Sequence, residues 1–155
     1  MQSFAKNTGS NLIPCLRYRD LPAAIDWLCQ AFGFAPQQVF SDPDGGIQHA
    51  QLAFGSSLLM LGPVTDSDYG RLLVQPEAIG GLSSQGLYVV VTSADGLYAQ
   101  AKAAGAQIVI ELRDEAYGGR GFSCRDPEGH LWSFGSYDPW EPPAVDAAPD
   151  PQFNT

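Results

Sequence analysis

Hydrophobic and polar positions along this chain change period in an order that occurs twice. Asn11 to Tyr18 (NLIPCLRY) has the apolar content of a short strand. Beyond it, Ile25, Leu28, Cys29 and Phe32 fall at i, i+3, i+4 and i+7, the single apolar stripe of an amphipathic helix. Asp20 stands where an N-cap belongs, and Pro22 lies in the first turn, where a missing N–H costs nothing. Gly33 occupies the position of a C-terminal glycine stop. A strand over 37–41, a turn over Asp42–Gly46, a strand over 48–54, a tight Gly55-Ser56-Ser57 turn and a strand over 58–61 complete a β-α-β-β-β unit.

The second half repeats the unit. Leu87 to Val91 (LYVVV) is rich in β-branched and aromatic residues, as a strand should be. Ser93 can cap the next helix, with Asp95 in its first turn, and Ala94, Leu97, Tyr98, Ala101 and Ala104 form its apolar side. Gly105 ends it. Strands over 107–112, 120–125 and 130–136 follow, the last two joined by an Asp126-Pro127-Glu128-Gly129 turn. Gly33 and Gly105 lie 72 positions apart, as do Ile25 and Leu97 in the two helices, and Met60 and Ser133 lie 73 apart. A repeat of that length with a full βαβββ order points to a duplicated module. Module one spans about 11–62, a linker 63–85 with one ordered turn near Tyr69–Val74, and module two about 86–137, all in one 155-residue domain. A four-stranded sheet with one helix leaves a face uncovered, so the modules are expected to share a face. The tail from 138 to 155 holds five prolines and four acids with no base, a composition that favours extended chain.

Composition narrows the function. The formal charge is −9, from 8 basic and 17 acidic residues, and no Lys or Arg run exists. That is the wrong charge for neutralising phosphates or anionic lipid, so neither nucleic acid nor a membrane surface is expected as a partner. Three widely spaced cysteines without a CxxC pair argue against disulfides and structural zinc, and fit buried thiols in a reducing cytoplasm. The first fourteen residues carry one Lys and no long apolar stretch, which reads against a leader peptide.

Three stretches carry a resemblance: YRDLPAAIDWLCQAFGF (18–34), HAQLAFGSSLLML (49–61) and YGGRGFSCRDPEGHLWSFGSYDPW (117–140). In this repeated order they resemble the glyoxalase/bleomycin-resistance (vicinal oxygen chelate) superfamily, most nearly its bacterial antibiotic-resistance-like members. The resemblance implies an α+β fold in which two βαβββ modules form an eight-stranded, cup-shaped mixed sheet with helices outside. It also implies that two subunits pair as a homodimer. Enzymatic members hold a divalent metal with His, Gln or Glu from four equivalent strands, a Lewis acid for adjacent substrate oxygens. Counting from the caps places those positions on Ile13, Met60, Gly86 and Ser133. Ile and Gly side chains have no donor atom, and a Met thioether is too soft for oxygen-directed chemistry. No metal, and no cofactor, is therefore expected.

Strand parity then assigns faces. Ala50, Leu52 and Phe54, and likewise Trp132 and Phe134, should point to the helices. His49 and Gln51, Tyr88, Ser133 and Cys15 should point into the cup, together with Met60. Tyr117 and Arg120 belong to a glycine-rich loop at the rim. Arg120 either touches a ligand or pairs with Asp114 or Glu115. Apolar walls with a few polar groups are the usual composition of a small-molecule site. Cys15 is expected to be a quiet buried thiol, and no catalytic residue can be named, since neither His49 nor His130 has a carboxylate partner in its motif. The leading expectation is a metal-free protein that binds an antibiotic-like small molecule, aromatic or cationic. The alternatives are a metal-dependent lyase, isomerase or ring-cleaving dioxygenase, and a module that binds no small ligand.

Overall fold

A computed structural model of the chain describes residues 9–142. Module one runs β1 (Cys15–Tyr18), α1 (Leu21–Phe32), β2 (Ala35–Ser41), β3 (Ile47–Phe54) and β4 (Ser57–Pro63). Module two runs β5 (Leu87–Val90), α2 (Ala94–Ala103), β6 (Gln107–Asp114), β7 (Arg120–Arg125) and β8 (Leu131–Gly135). The duplicated βαβββ order is thus present, and the fold is α+β. The strands form two four-stranded mixed sheets with matching topology, β1-β4-β3-β2 and β5-β8-β7-β6. In each, the first strand lies parallel to the last, and the remaining neighbours are antiparallel. The chain divides into two compact units between Leu82 and Ser83.

Local chemistry sets the helix ends. The Asp20 carboxylate accepts from the Ala23 N–H at 3.1 Å, and the Ser93 hydroxyl accepts from the Gly96 N–H at 3.1 Å, each satisfying a donor that the helix cannot. Gly33 closes α1 at φ +84°, with its N–H on the Cys29 carbonyl at 3.1 Å. A side chain there would meet the left-handed strain that glycine avoids.

One face of each sheet packs on its helix. In module one Leu28, Ala31, Ala50 and Leu52 are wholly buried, and Leu59 and Leu61 nearly so. In module two Phe122, Trp132 and Phe134 do the same, with Phe122 and Phe134 stacked at 5.5 Å and Tyr98 of α2 set edge-on to Phe122 at 5.2 Å. Each fully buried large apolar side chain contributes about 1.5–3 kcal/mol. The Trp132 indole N–H donates to Asp126 at 3.1 Å, so the one polar atom of that ring is satisfied inside the core.

Some expectations need correcting. The first strand begins at Cys15 rather than Asn11; Pro14 has no N–H to donate, and only its carbonyl joins the ladder, accepting from Met60 at 3.0 Å. The linker carries two short 3-10 turns, Gly70–Leu72 and Pro76–Ile79, rather than one. Cys15 is exposed, not buried, because it sits on the sheet face away from the helix; its thiol reaches only the Ile13 carbonyl at 3.7 Å. The tail beyond residue 142 lies outside the described residues.

Candidate functional site

The sheet faces turned away from the helices carry the polar and chemically distinctive side chains. In each module one row of neighbours crosses the sheet. In module one Cys15 pairs with Met60, Met60 with Gln51, and Gln51 with Gln38. In module two Tyr88 pairs with Ser133, Ser133 with Ser123, and Ser123 with Ile110. The two rows occupy equivalent places in the duplicated fold.

On module one Gln51 of this row is bonded to polar neighbours on either side of it. His49 Nε2 lies 3.2 Å from the Gln51 amide oxygen, and the Gln51 amide nitrogen donates to Gln37 at 2.7 Å. The His49 ring lies 5.7 Å from that of Phe40.

On module two the same face hollows into a cavity of about 790 Å³. Tyr88, Ser133, Tyr117 and Arg120, all named from the sequence, line it together with Tyr137 and Ser123. The Tyr88 ring lies across β8 at Gly135, where a β-carbon would stand 2.5 Å from the phenolic oxygen. Glycine at that place is what allows the ring to cross, and its hydroxyl then donates to the Tyr137 carbonyl at 2.8 Å. Burial, followed by the neighbouring Tyr117, Tyr137 and Asp138, pushes the Tyr88 phenol up to about 12, so it stays neutral through the physiological range.

Tyr117 sits on the loop between β6 and β7. That loop closes through Glu115 N–H to Gly119 carbonyl at 2.9 Å and Gly118 N–H to Glu115 carbonyl at 3.0 Å. Gly119 has φ +74°, and a β-carbon there would lie 2.6 Å from the Tyr137 nitrogen. The loop can therefore press against the end of β8, setting the Tyr117 and Tyr137 rings edge to face at 5.3 Å. Burial also raises the Tyr117 phenol above its ordinary value, with Glu115 adding to the effect.

Arg120 does not stand alone at this rim. Its Nε lies 3.1 Å from Asp95 of α2, and its Nη1 lies 3.3 Å from Asp114. Of the two carboxylates weighed as its partners, Asp114 is the one engaged, while Glu115 pairs with Arg113 at 3.0 Å. Tyr137, Ser123 and Arg113 line the cavity without having been expected there. Ser123 could have been found from the strand parity that placed Ser133; Tyr137 lies beyond the strand end, where alternation gives no face.

A family model described as Glyoxalase/Bleomycin resistance protein/Dioxygenase superfamily matches residues 12–134. The chain belongs to that superfamily. TioX from Micromonospora sp. ML1 is 35% identical, with a TM-score of 0.65 over 81% of this chain and 97% of that one. An uncharacterized protein of Mycobacterium tuberculosis (strain ATCC 25618 / H37Rv) is 32% identical over 133 residues, covering 86% of this chain and 78% of its own length. The bleomycin resistance determinant encoded on the transposon Tn5 is 20% identical, with a TM-score of 0.58 over 83% of this chain and 98% of that one, a likeness of fold alone.

Superfamily membership raises the question of a divalent metal. The four positions expected to hold it carry Ile13, Met60, Gly86 and Ser133. Ile13 and Gly86 precede β1 and β5, while Met60 and Ser133 lie inside β4 and β8. Two of these have no donor atom, one offers a soft thioether, and one a neutral hydroxyl already 2.7 Å from Ser123. Among the described residues, no three His, Cys, Asp or Glu side chains come together as a metal site. This donor set does not fit a divalent ion. No helix among the described residues is long and apolar enough to cross a membrane.

Proposed function

We propose that this chain is a metal-free small-molecule binding protein of the glyoxalase/bleomycin-resistance superfamily, whose guest occupies the module-two cavity. The observation that supports it most is the composition of that cavity: about 790 Å³ beside Tyr88, Tyr117 and Tyr137, with the Ser133 hydroxyl at a place where a chelating superfamily member would need His, Gln or Glu. Rigid aromatic walls with few polar groups suit an aromatic guest. An antibiotic-like guest, held by sequestration rather than by reaction, is the class proposed. Cys15, His49, Gln51 and Met60 form a second polar face on module one, proposed as a further contact surface for the same class of ligand. A homodimer in the cytoplasm completes the proposal.

A thermal-shift panel of bleomycin-type glycopeptides and planar aromatic antibiotics tests it. A guest present at a hundred times its dissociation constant adds about 2.7 kcal/mol to the folded state by mass action, a shift of several degrees. A flat response across the panel from folded protein would refute the binding reading in favour of a module without a ligand.

A further inference from the structure

Ser123 and Ser133 face each other across β7 and β8 on the cavity floor, with their hydroxyl oxygens 2.7 Å apart. Two hydroxyls hold two protons, and one of these lies between the oxygens. Neither serine has another side-chain partner among the described residues. The second proton therefore has no acceptor within the protein, although Ser123 is only 8% exposed. A largely buried hydroxyl in that position favours a guest oxygen that accepts from it.

The arginines that line this cavity are already paired. Arg113 is paired with Glu115, and Arg120 with Asp95 and Asp114. Two cations stand against three carboxylates, which leaves no unpaired cation for an anionic guest. The aromatic walls stay uncharged, since burial keeps the Tyr88 and Tyr117 phenols protonated well above neutrality. The equivalent places on module one hold Met60 and Gln51, so the hydroxyl pair belongs to module two alone.

We propose that the guest is an uncharged, planar aromatic molecule whose carbonyl oxygen accepts a hydrogen bond from the Ser123–Ser133 pair while its ring lies against Tyr88, Tyr117 and Tyr137. This rests on the binding function proposed above and narrows it to a ligand class. It also removes the cationic option, because the nearby carboxylates are engaged by arginines.

Three tricyclic probes of similar size separate the cases: acridone, neutral with one carbonyl; proflavine, a cation; and anthracene-9-carboxylate, an anion. Titration calorimetry and fluorescence follow each against the unaltered protein, a Ser123→Ala/Ser133→Ala double variant, Ser133→Thr and Tyr88→Ala. The double variant removes both members of the pair and leaves no orphaned partner, so it should fold, which circular dichroism checks. Acridone should bind most tightly. Its dissociation constant should rise about tenfold in the double variant, the effect of one hydrogen bond, and stay near its original value in Ser133→Thr, which keeps the hydroxyl. Proflavine binding tighter than acridone would overturn the uncharged guest. Acridone binding that weakens in Tyr88→Ala yet is unchanged in the double variant would overturn the hydroxyl anchor while leaving the cavity as the site. No binding of any probe would overturn both this inference and the function it rests on.

Discussion

Tyr88 shows how one side chain joins fold to chemistry. Its ring crosses β8 only because residue 135 is glycine, and its hydroxyl then holds the Tyr137 carbonyl. The phenol is pushed up to about 12 from an ordinary 10.0, chiefly by burial. In the unfolded chain it ionises near its ordinary value, so the folded state keeps its proton longer. The associated stability is complete below pH 10 and is lost as pH rises through about 12. Urea midpoints measured from pH 9 to 11.5 should fall, and fall less steeply in Tyr88→Phe, which starts lower because it lacks the Tyr137 hydrogen bond. The buried Cys124 thiol, also pushed up to about 12, acts in the same direction and is common to both proteins. The slope stays modest because Tyr88 is 45% exposed and solvent screens its charge. Equal slopes in the two proteins would contradict the role given to burial at this ring.

At the scale of an element, the β7–β8 hairpin is the best-defined piece of local chemistry. The Asp126 carboxylate accepts from the Glu128 and His130 N–H groups at 3.0 Å each and from the Trp132 indole at 3.1 Å. One side chain thus shapes the turn and anchors the largest core residue, which in turn holds β8 so that Ser133 faces the cavity. Asp126→Ala leaves those donors unmet and should lower stability by about 1–3 kcal/mol. Asp126→Asn keeps one acceptor oxygen and should lose less. Urea denaturation measures both, and an unchanged midpoint in Asp126→Ala would show that the turn does not depend on the carboxylate. The Asp-Pro-Glu-Gly turn and the strand after it were legible from sequence because turn residues and period-two alternation are local signals. The indole contact was not, since it depends on how the hairpin folds back over its own turn.

For the whole molecule, duplication explains both the repeated topology and the difference between the modules. The equivalent rows hold Cys15, Met60 and Gln51 in one sheet and Tyr88, Ser133 and Ser123 in the other. Neither supplies a carboxylate, and His49 is held within a hydrogen-bonded chain to Gln51 and Gln37. Elemental analysis of purified protein should find less than stoichiometric Ni, Zn, Fe or Mn. A full equivalent of one of these, lost on chelation together with stability, would restore the metal-dependent enzyme as the better reading.

Sequence alone determined the element order, the duplication, both helix caps and the buried, helix-facing positions Ala50, Leu52, Trp132 and Phe134. These follow from the period of apolar positions and from single-residue stop signals, which act over a few residues. It also carried the side chains at the expected chelating positions, of which Ile13 and Gly86 have no donor atom in any fold. Only tertiary structure decided that Tyr88, Tyr117 and Tyr137 meet, that Arg120 is held by Asp95 across 25 positions, and that two serine hydroxyls hydrogen-bond on the cavity floor. Those facts depend on which strands become neighbours and on where glycines let backbones approach, and neither is written in any one local stretch of chain.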